Sequence, residues 1–234
     1  MSNLRDAIVR MALRRPYLYL LVTLVISIVL MEVLVEIAEH TFIKPALQQL
    51  ELQFIAYVQQ FVTPPLTAEV MLVTASGSST FYLLASALVC CWYLYSRQKD
   101  RLYLYLVCLC GGGILNQVLK RIFERVRPDI FPVIAESGYS FPSGHAMGAI
   151  CFYGILAYFA GLGLRSKPLR WGLMAAAGIY ILLIGLSRVY LGVHYPTDIL
   201  AGYAAGATWL FFCITLHRLS LIHISEPTRR TPIS

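Results

Sequence analysis

Residues 187–198 read Ser-Arg-Val-Tyr-Leu-Gly-Val-His-Tyr-Pro-Thr-Asp, and they separate two long apolar runs of the chain. The run before them covers roughly residues 171–187, and the run after them covers roughly residues 197–216. A helix of about 20 residues crosses the hydrocarbon core of a bilayer. The sequence therefore predicts a short polar connection at a membrane surface, with a transmembrane helix on each side.

The composition extends this prediction to the whole chain. Its 234 residues are 58% hydrophobic and only 13% charged, whereas a soluble domain has about 25% charged residues. We therefore predict an all-α fold, an integral membrane six-helix bundle with short interfacial amphipathic helices. The six predicted spans are residues 16–31, 80–96, 102–119, 144–164, 171–187 and 197–216.

Two further segments are too polar to span a membrane. Residues 1–15 contain four arginines and are predicted to form a basic interfacial N-terminal helix. Residues 45–63 have an apolar stripe near a 3.5-residue period and predict an amphipathic helix, which Pro64-Pro65 ends. Gly77 is predicted to mark a break before the second span.

The domain organisation follows from these segments. Residues 16–218 are predicted to be one six-span domain. Residues 219–234 resemble the translation of a sequencing-library adapter, so we expect a non-native tail and assign it no function.

The basic residues indicate how the chain is oriented. The formal net charge is +7, and the bases cluster at the ends of apolar runs, which is typical of membrane proteins and not of nucleic-acid binding. The basic connections 97–101 and 165–170 fall on one side together with both termini. Cytoplasmic termini are therefore predicted, with a multi-pass chain in the plasma or inner membrane. Lys120, Arg127 and Arg188 fall on the opposite side, so orientation does not explain them.

The cysteines do not predict a metal site. All six lie inside apolar runs, with no histidine at a zinc-ligand spacing, so buried, unreactive thiols are expected. We predict no metal and no cofactor.

The first polar cluster is Lys120-Arg-Ile-Phe-Glu-Arg-Val-Arg-Pro128. Lys120 and Arg127 are seven positions apart, so a continuing helix would place them on one face until Pro128 ends it. Two cations on one face suit an anion with several oxygen atoms. The alternative is that they reach lipid headgroups and that Lys120 pairs with Glu124.

The second cluster, Phe141-Pro-Ser-Gly-His145, opens the fourth predicted span. Ser143 stands at the N-cap position, where free backbone N–H groups can bind a phosphate. Gly144 would let a ligand approach the backbone closely. The alternative is that Ser143 is only a cap and that His145 simply lies at the membrane interface.

The third cluster is the stretch 187–198. If residues 194–198 form a helical turn, the Asp198 carboxylate accepts a hydrogen bond from one nitrogen of His194 and leaves the other nitrogen free to attack. Arg188 adds a further cation. The alternative role for Asp198 is to complement the dipole of the next helix.

Together the clusters have the patterns Lys-x6-Arg-Pro, Pro-Ser-Gly-His and Ser-Arg-x5-His-x3-Asp. In this order they resemble the three signature motifs of the type-2 phosphatidic acid phosphatase superfamily. The matching positions are Lys120, Arg127, Pro128, Pro142, Ser143, Gly144, His145, Ser187, Arg188, His194 and Asp198. The short chain and the six spans look most like the small bacterial members of that family.

The resemblance implies a role for each matched residue. It makes His194 the nucleophile, which forms a phosphohistidine, Asp198 its orienting partner, and His145 the general acid. It makes the side chains of Lys120, Arg127, Ser143 and Arg188, together with the backbone of Gly144, ligands of the phosphoryl oxygens. Because the cations can neutralise a phosphate, we expect metal-independent hydrolysis.

The resemblance also implies a lipid substrate that reaches the site from the membrane, at its outer face. We expect undecaprenyl diphosphate first, and then phosphatidylglycerophosphate or phosphatidate. Two alternatives stay open: a lipid phosphotransferase that uses the same site, and a non-catalytic protein that binds anionic lipids. Soluble haloperoxidases resemble the same motifs, but the six spans argue against them. Nucleic acid is not an expected partner, and the oligomeric state is left open.

Overall fold

The computed structural model describes residues 16–129 and 132–225 of the chain. The predicted N-terminal helix, residues 1–15, lies outside the described residues, as do residues 226–234 of the predicted tail. The described residues form eight helices, and the prediction of an all-α fold is confirmed. The helices are α1 (Pro16–Ile43), α2 (Pro45–Gln59), α3 (Pro64–Ala75), α4 (Ser79–Tyr95), α5 (Lys99–Phe123), α6 (Gly144–Gly163, with a π-helical turn at Ile150–Gly154), α7 (Lys167–Tyr190) and α8 (Pro196–Ser225).

Five of these helices, α1, α5, α6, α7 and α8, are each long and apolar enough to cross a membrane. Helices α3 and α4 pass the same test only as a pair that bends by 49°. The bend lies at residues 76–78, where the sequence predicted a break at Gly77. The predicted membrane layout is therefore confirmed, with six spans if the bent pair counts as one.

Two helix boundaries differ from the prediction. Helix α1 continues to Ile43, beyond the predicted end of the first span at Met31, because neither Pro nor Gly occurs between residues 32 and 44. Pro64-Pro65 ends α2, as predicted, but it also opens α3, because proline is well suited to the first turn of a helix.

Helix α2 is amphipathic, as predicted. Leu50 and Phe54, from the predicted apolar stripe, are exposed on its outer side. Another side of the helix buries Glu51 and Ile55. The helix therefore presents one charged residue to the interior of the protein.

Helix α8 approaches the start of α6 closely, and this contact positions the polar clusters. A Cβ atom at Gly202 would lie 2.7 Å from the carbonyl oxygen of Ser143, so glycine is required for this approach. The contact brings the backbone N–H of Ser143 within 2.9 Å of the Asp198 carbonyl oxygen. The second and third sequence clusters are thereby held together.

The connection between α5 and α6 is a loop with adjacent ends. The backbone N–H of Ser140 donates to the carbonyl oxygen of Arg125 at 2.8 Å. A second bond, from Val133 N–H to the Leu191 carbonyl oxygen at 3.0 Å, fastens the loop to the connection between α7 and α8. The end of the first sequence cluster, which lies in this loop, is thus held beside the third cluster.

Candidate active site

His194 and Asp198 form a buried pair at the start of α8. The Nδ1 atom of His194 lies 3.3 Å from Oδ2 of Asp198, and the two side chains are 1% and 0% exposed. This contact is the one that the four-residue spacing predicted. Because Arg127 can only donate and its Nη1 lies 3.1 Å from Nε2 of His194, Nε2 must be the acceptor and Nδ1 must carry the proton.

A larger network fixes the carboxylate of Asp198. Its Oδ2 accepts hydrogen bonds from the hydroxyl of Ser140 and, at 2.9 Å, from the backbone N–H of Tyr195. Its Oδ1 pairs with Nη1 of Arg125 at 2.6 Å. The Arg125 guanidinium also lies over the Tyr195 ring, 3.8 Å from its centroid. Asp198 therefore has little freedom to turn away from His194.

The sequence analysis missed Arg125 and its partner Glu51. Arg125 Nη2 pairs with Glu51 at 2.7 Å, and the two side chains are 8% and 4% exposed. Glu51 also accepts from the backbone N–H and the hydroxyl of Thr197, at 2.9 and 2.6 Å. One signal was available: Glu51 is the only charged residue between positions 45 and 63. We call Glu51, Arg125, Ser140, His194 and Asp198 the Asp198 cluster.

The predicted helical continuation from Lys120 to Arg127 is wrong. Helix α5 ends at Phe123, and Glu124 adopts a left-handed conformation with φ of 46°, which turns the chain out of the helix. Arg127 therefore reaches the site from the loop, where it donates to the carbonyl oxygens of Val193 and Gly138 at 2.9 and 3.0 Å.

The alternative pairing of Glu124 with Lys120 is not the contact that Glu124 makes. Its carboxylate accepts a hydrogen bond from the hydroxyl of Tyr139 at 2.8 Å.

Three cations nevertheless lie close together, since Arg127 and Arg188 both pair with Glu136 and Lys120 lines the same cavity as Arg127; we call Lys120, Arg127 and Arg188 the anion site. Lys120 is half-buried near the end of α5, and Arg188, in the last turn of α7, is only 2% exposed. Nη1 of Arg188 donates to the hydroxyl of Thr74 at 2.7 Å. The Glu136 carboxylate, which the sequence analysis did not single out, forms ion pairs with both arginines.

The start of α6 lies beside the anion site. Ser143 is the N-cap that the sequence predicted, and its hydroxyl accepts from the Ala146 N–H at 3.5 Å. Asn116 holds this turn by donating to the Pro142 carbonyl oxygen at 3.2 Å. Gly144 and His145 line the same cavity as Lys120 and Arg127.

This cavity has a volume of about 680 Å³ and runs between α4 and α5. One end is polar and includes two members of the anion site, with Glu136 and His145. We call the other end the tail cleft; it is lined by Tyr82, Leu83, Cys90, Leu106, Leu109 and Cys110. His194 itself does not line the cavity, but Arg127, which does, contacts Nε2 of His194.

Burial decides the charge of the nucleophile candidate. It lowers the pKa of His194 to about 4, although the Asp198 carboxylate opposes the shift. Arg127 and Arg188 lower this pKa further, so His194 is neutral at pH 7. Burial also lowers the pKa of Arg127, again opposed by Asp198. A neutral imidazole with a lone pair on Nε2 is the form that can attack phosphorus.

The residues predicted to form the site therefore come together in space. They are His194, Asp198, His145, Lys120, Arg127, Ser143, Gly144 and Arg188. Within residues 16–129 and 132–225, no three His, Cys, Asp or Glu side chains lie close enough together to hold a metal ion. Two predicted buried thiols, those of Cys91 and Cys110, are instead exposed.

Fold and site together define a polytopic α-helical membrane protein with a histidine and clustered cations at the end of an apolar cleft. The family model described as "PAP2 superfamily" matches residues 101–221, which is more than half of the chain. The chain belongs to the PAP2 superfamily. Within it, the chain is a multi-pass membrane protein and groups with the lipid phosphatases.

Known relatives agree with this placement. The chain is 40% identical over 156 residues to phosphatidylglycerophosphatase B of Bacillus subtilis, which covers 65% of this chain and 76% of that protein. It is 33% identical over 111 residues to an undecaprenyl-diphosphatase of Sulfolobus acidocaldarius, with 46% and 48% of the two chains covered.

A solved structure shares the fold. The crystal structure of a transmembrane PAP2-type phosphatidylglycerolphosphate phosphatase from Bacillus subtilis matches with a TM-score of 0.74 and 31% identity. The match covers 81% of this chain and 94% of that one.

Proposed function

We propose that the protein removes the terminal phosphate of a membrane lipid phosphate or diphosphate, through a phosphohistidine on Nε2 of His194. The observation that carries this proposal is the position of Nε2. It lies 3.1 Å from Nη1 of Arg127, with Asp198 on the opposite nitrogen, and Arg127 lines the polar end of a cavity whose other end is apolar. A phosphate bound by the arginines would have its lipid tail in the cleft.

In the first step, the lone pair of Nε2 forms a bond to phosphorus while the bond from phosphorus to the leaving oxygen breaks. His145, at the start of α6, donates a proton to that oxygen. In the second step, water attacks the phosphohistidine and breaks the P–N bond, and His145 takes a proton back. Lys120, Arg127 and Arg188 neutralise the charge on the phosphoryl oxygens in both steps.

We further propose that catalysis needs no metal. The three cations of the anion site, one of which contacts the nucleophile, would supply the charge neutralisation that a divalent ion supplies in other phosphoryl-transfer enzymes. Activity should survive excess chelator. Loss of activity in chelator, restored by magnesium, would contradict this.

The proposed substrate is a lipid that enters sideways from the membrane between α4 and α5. The tail cleft lies between these helices and is lined mainly by apolar groups, so a long hydrocarbon chain can occupy it. The two relatives described above act, by their names, on phosphatidylglycerophosphate and undecaprenyl diphosphate. We propose both as substrates.

We propose that the site faces the outside of the cell membrane, with both termini in the cytoplasm. The basic connections 97–101 and 165–170 lie at the ends of spans away from the site, where the excess of positive charge typical of cytoplasmic loops is expected. Undecaprenyl diphosphate released outside by cell-wall synthesis would then present its headgroup to the site.

The test is phosphate release by the purified chain in detergent with excess chelator, using undecaprenyl diphosphate and phosphatidylglycerophosphate. We expect release from both, and none from the His194→Ala variant. No release from either lipid would overturn the proposal. Acceptor-dependent transfer of the phosphate to an alcohol in place of water would assign a phosphotransferase.

A further inference from the structure

The Glu136 carboxylate bridges two arginines of the anion site. Its Oε1 lies 3.4 Å from Nη2 of Arg127, and its Oε2 pairs with Nη2 of Arg188. Glu136 is 28% exposed, whereas the arginines are 11% and 2% exposed. Two oxygen atoms of one anion thus bind two cations, as two oxygens of a phosphoryl group would.

Arg127 has few donors left for a second anion. Its Nε and Nη2 donate to the carbonyl oxygens of Gly138 and Ser137 at 3.0 and 3.3 Å, in addition to the Glu136 contact. Its Nη1 is shared between the Val193 carbonyl oxygen and Nε2 of His194. A phosphate can bind to Arg127 only by replacing one of these acceptors.

Glu136 is the acceptor best placed to be replaced. It is an acceptor of Arg127 that carries a negative charge, and it lines the cavity from which a substrate would come. The other acceptors are backbone carbonyl oxygens and the imidazole. Its side chain is partly exposed, so a rotation would move the carboxylate into solvent.

The nucleophile is covered by the same contacts. His194 is 1% exposed, and its Nε2 accepts from Arg127, which is itself held by Glu136. A phosphorus atom can therefore reach Nε2 only if Arg127 moves away from that atom, and release of Arg127 from the Glu136 carboxylate would permit this movement.

We infer that Glu136 is a further residue of the substrate site, an internal anion that competes with the lipid's phosphate for Arg127 and Arg188. This inference rests on the proposed function and deepens it. Glu136 sets how tightly the site binds any phosphate, including the inorganic phosphate that is the product. The lipid tail, through its contacts in the tail cleft, offsets the displacement of Glu136, and inorganic phosphate has no such contacts.

A purely structural role for Glu136 predicts the opposite change in phosphate affinity when the carboxylate is removed. If the carboxylate only held the two arginines in place, its removal would loosen them and weaken phosphate binding. If it competes, its removal frees donors and strengthens binding, because an apparent dissociation constant is the intrinsic one divided by the fraction of competent sites.

The experiment compares the full chain with Glu136→Gln and Glu136→Asp in detergent. For each we would measure kcat and KM on the lipid, and the inhibition constant Ki of inorganic phosphate. In Glu136→Gln we expect KM and Ki to fall together by about tenfold, with kcat unchanged. Glu136→Asp, too short to bridge both arginines, should give intermediate values.

Glu124→Gln is the matched control. Glu124 also belongs to the exposed segment after α5, but it contacts the hydroxyl of Tyr139 and not the anion site. It should leave KM and Ki as they are. Unchanged or raised KM and Ki in Glu136→Gln would overturn the inference.

A separate measurement keeps this test independent of the proposed function. If the unmodified chain hydrolyses neither lipid, the proposed function fails. Calorimetric titration with inorganic phosphate then decides the inference alone: tighter binding by Glu136→Gln supports competition, and equal or weaker binding rejects it.

Discussion

The Asp198 cluster and the tail cleft differ in burial and in polarity. In the cluster, Arg125 and Asp198 are 8% and 0% exposed and make ion pairs at 2.6–2.7 Å. In the cleft, Leu83 and Leu106 are 73% and 39% exposed, and the contacts are apolar. The Asp198 cluster holds its atoms in a fixed geometry, whereas the tail cleft offers apolar surface without specific polar contacts.

This difference indicates that the Asp198 cluster orients the nucleophile and that the tail cleft binds the lipid tail. Fixed, buried hydrogen bonds are needed where a nucleophile must be oriented. Apolar surface binds hydrocarbon chains in proportion to buried area and with little discrimination between them. Substitutions in the cluster should therefore change kcat for every substrate, and substitutions in the cleft should change KM according to the length of the tail.

The largest effect is expected for Asp198→Asn, in the Asp198 cluster. The amide can donate to Nδ1 of His194, which would move the imidazole proton to Nε2 and remove the lone pair that attacks. We expect kcat to fall about 10⁴-fold on every lipid, by analogy with other buried aspartate–histidine pairs. The measurement is phosphate release at saturating lipid, with a thermal melt as the folding control.

This variant also tests the simpler role of Asp198. If the carboxylate only complements the dipole of α8, activity should fall in step with stability and by less than about tenfold.

The next largest effect is expected for His145→Ala. An alkoxide that leaves a phosphate monoester needs a proton in the transition state, whereas a phosphate that leaves a diphosphate needs it less. We expect a loss of about 10²-fold on phosphatidate and a clearly smaller loss on undecaprenyl diphosphate. Equal losses of kcat on the two lipids would count against His145 as the general acid.

A smaller effect is expected for Glu51→Gln, at the far side of the cluster. Arg125 loses a charged partner at 2.7 Å. Its guanidinium is then less well fixed, and so is the Asp198 carboxylate with which it pairs. We expect kcat to fall by about tenfold with KM unchanged, which corresponds to roughly 1.4 kcal/mol. The control is Glu69→Gln, an exposed carboxylate on α3, which should leave both constants unaltered. A rise in KM alone would refute a positioning role.

The smallest effect is expected for Ala87→Trp, which fills part of the tail cleft. Here KM should rise by about threefold to tenfold for a long-chain lipid, since one or two methylene contacts of about 0.8 kcal/mol each are lost or displaced. A short-chain phosphate should keep its KM, and kcat should not change. Leu88→Trp, on the exposed side of α4, is the matched control. Equal effects on long and short chains would show that the cleft does not hold the tail.

The sequence predicted the site better than it predicted the supports of the site. His194 and Asp198 are four residues apart, and their contact is local although α8 begins only at Pro196, so the predicted helical turn over residues 194–198 is incomplete. Arg125 and Glu51 are 74 positions apart, and no local period connects them. A pattern of apolar residues along α2 indicates which face is apolar, but it does not show that Glu51 enters the protein.

The wrong boundaries have local causes. The prediction that Lys120 and Arg127 share a helix face assumed that only Pro128 would end the helix. The left-handed backbone at Glu124 ends it earlier, and a glutamate does not signal that conformation. Pro64-Pro65 was interpreted only as an end, although proline also starts helices, so α3 was missed.

The hydrogen bond between Ser140 and Arg125 closes the segment between them into an insert with adjacent ends. Its two ends stay next to each other whatever length of chain lies between, and lengthening such a loop costs only about 0.6 kcal/mol per doubling. Glu136 and Arg127 lie inside this insert, while His194, Asp198 and His145 lie outside it. Transplanting the insert from a relative is thus expected to exchange headgroup preference and leave the reacting atoms where they are.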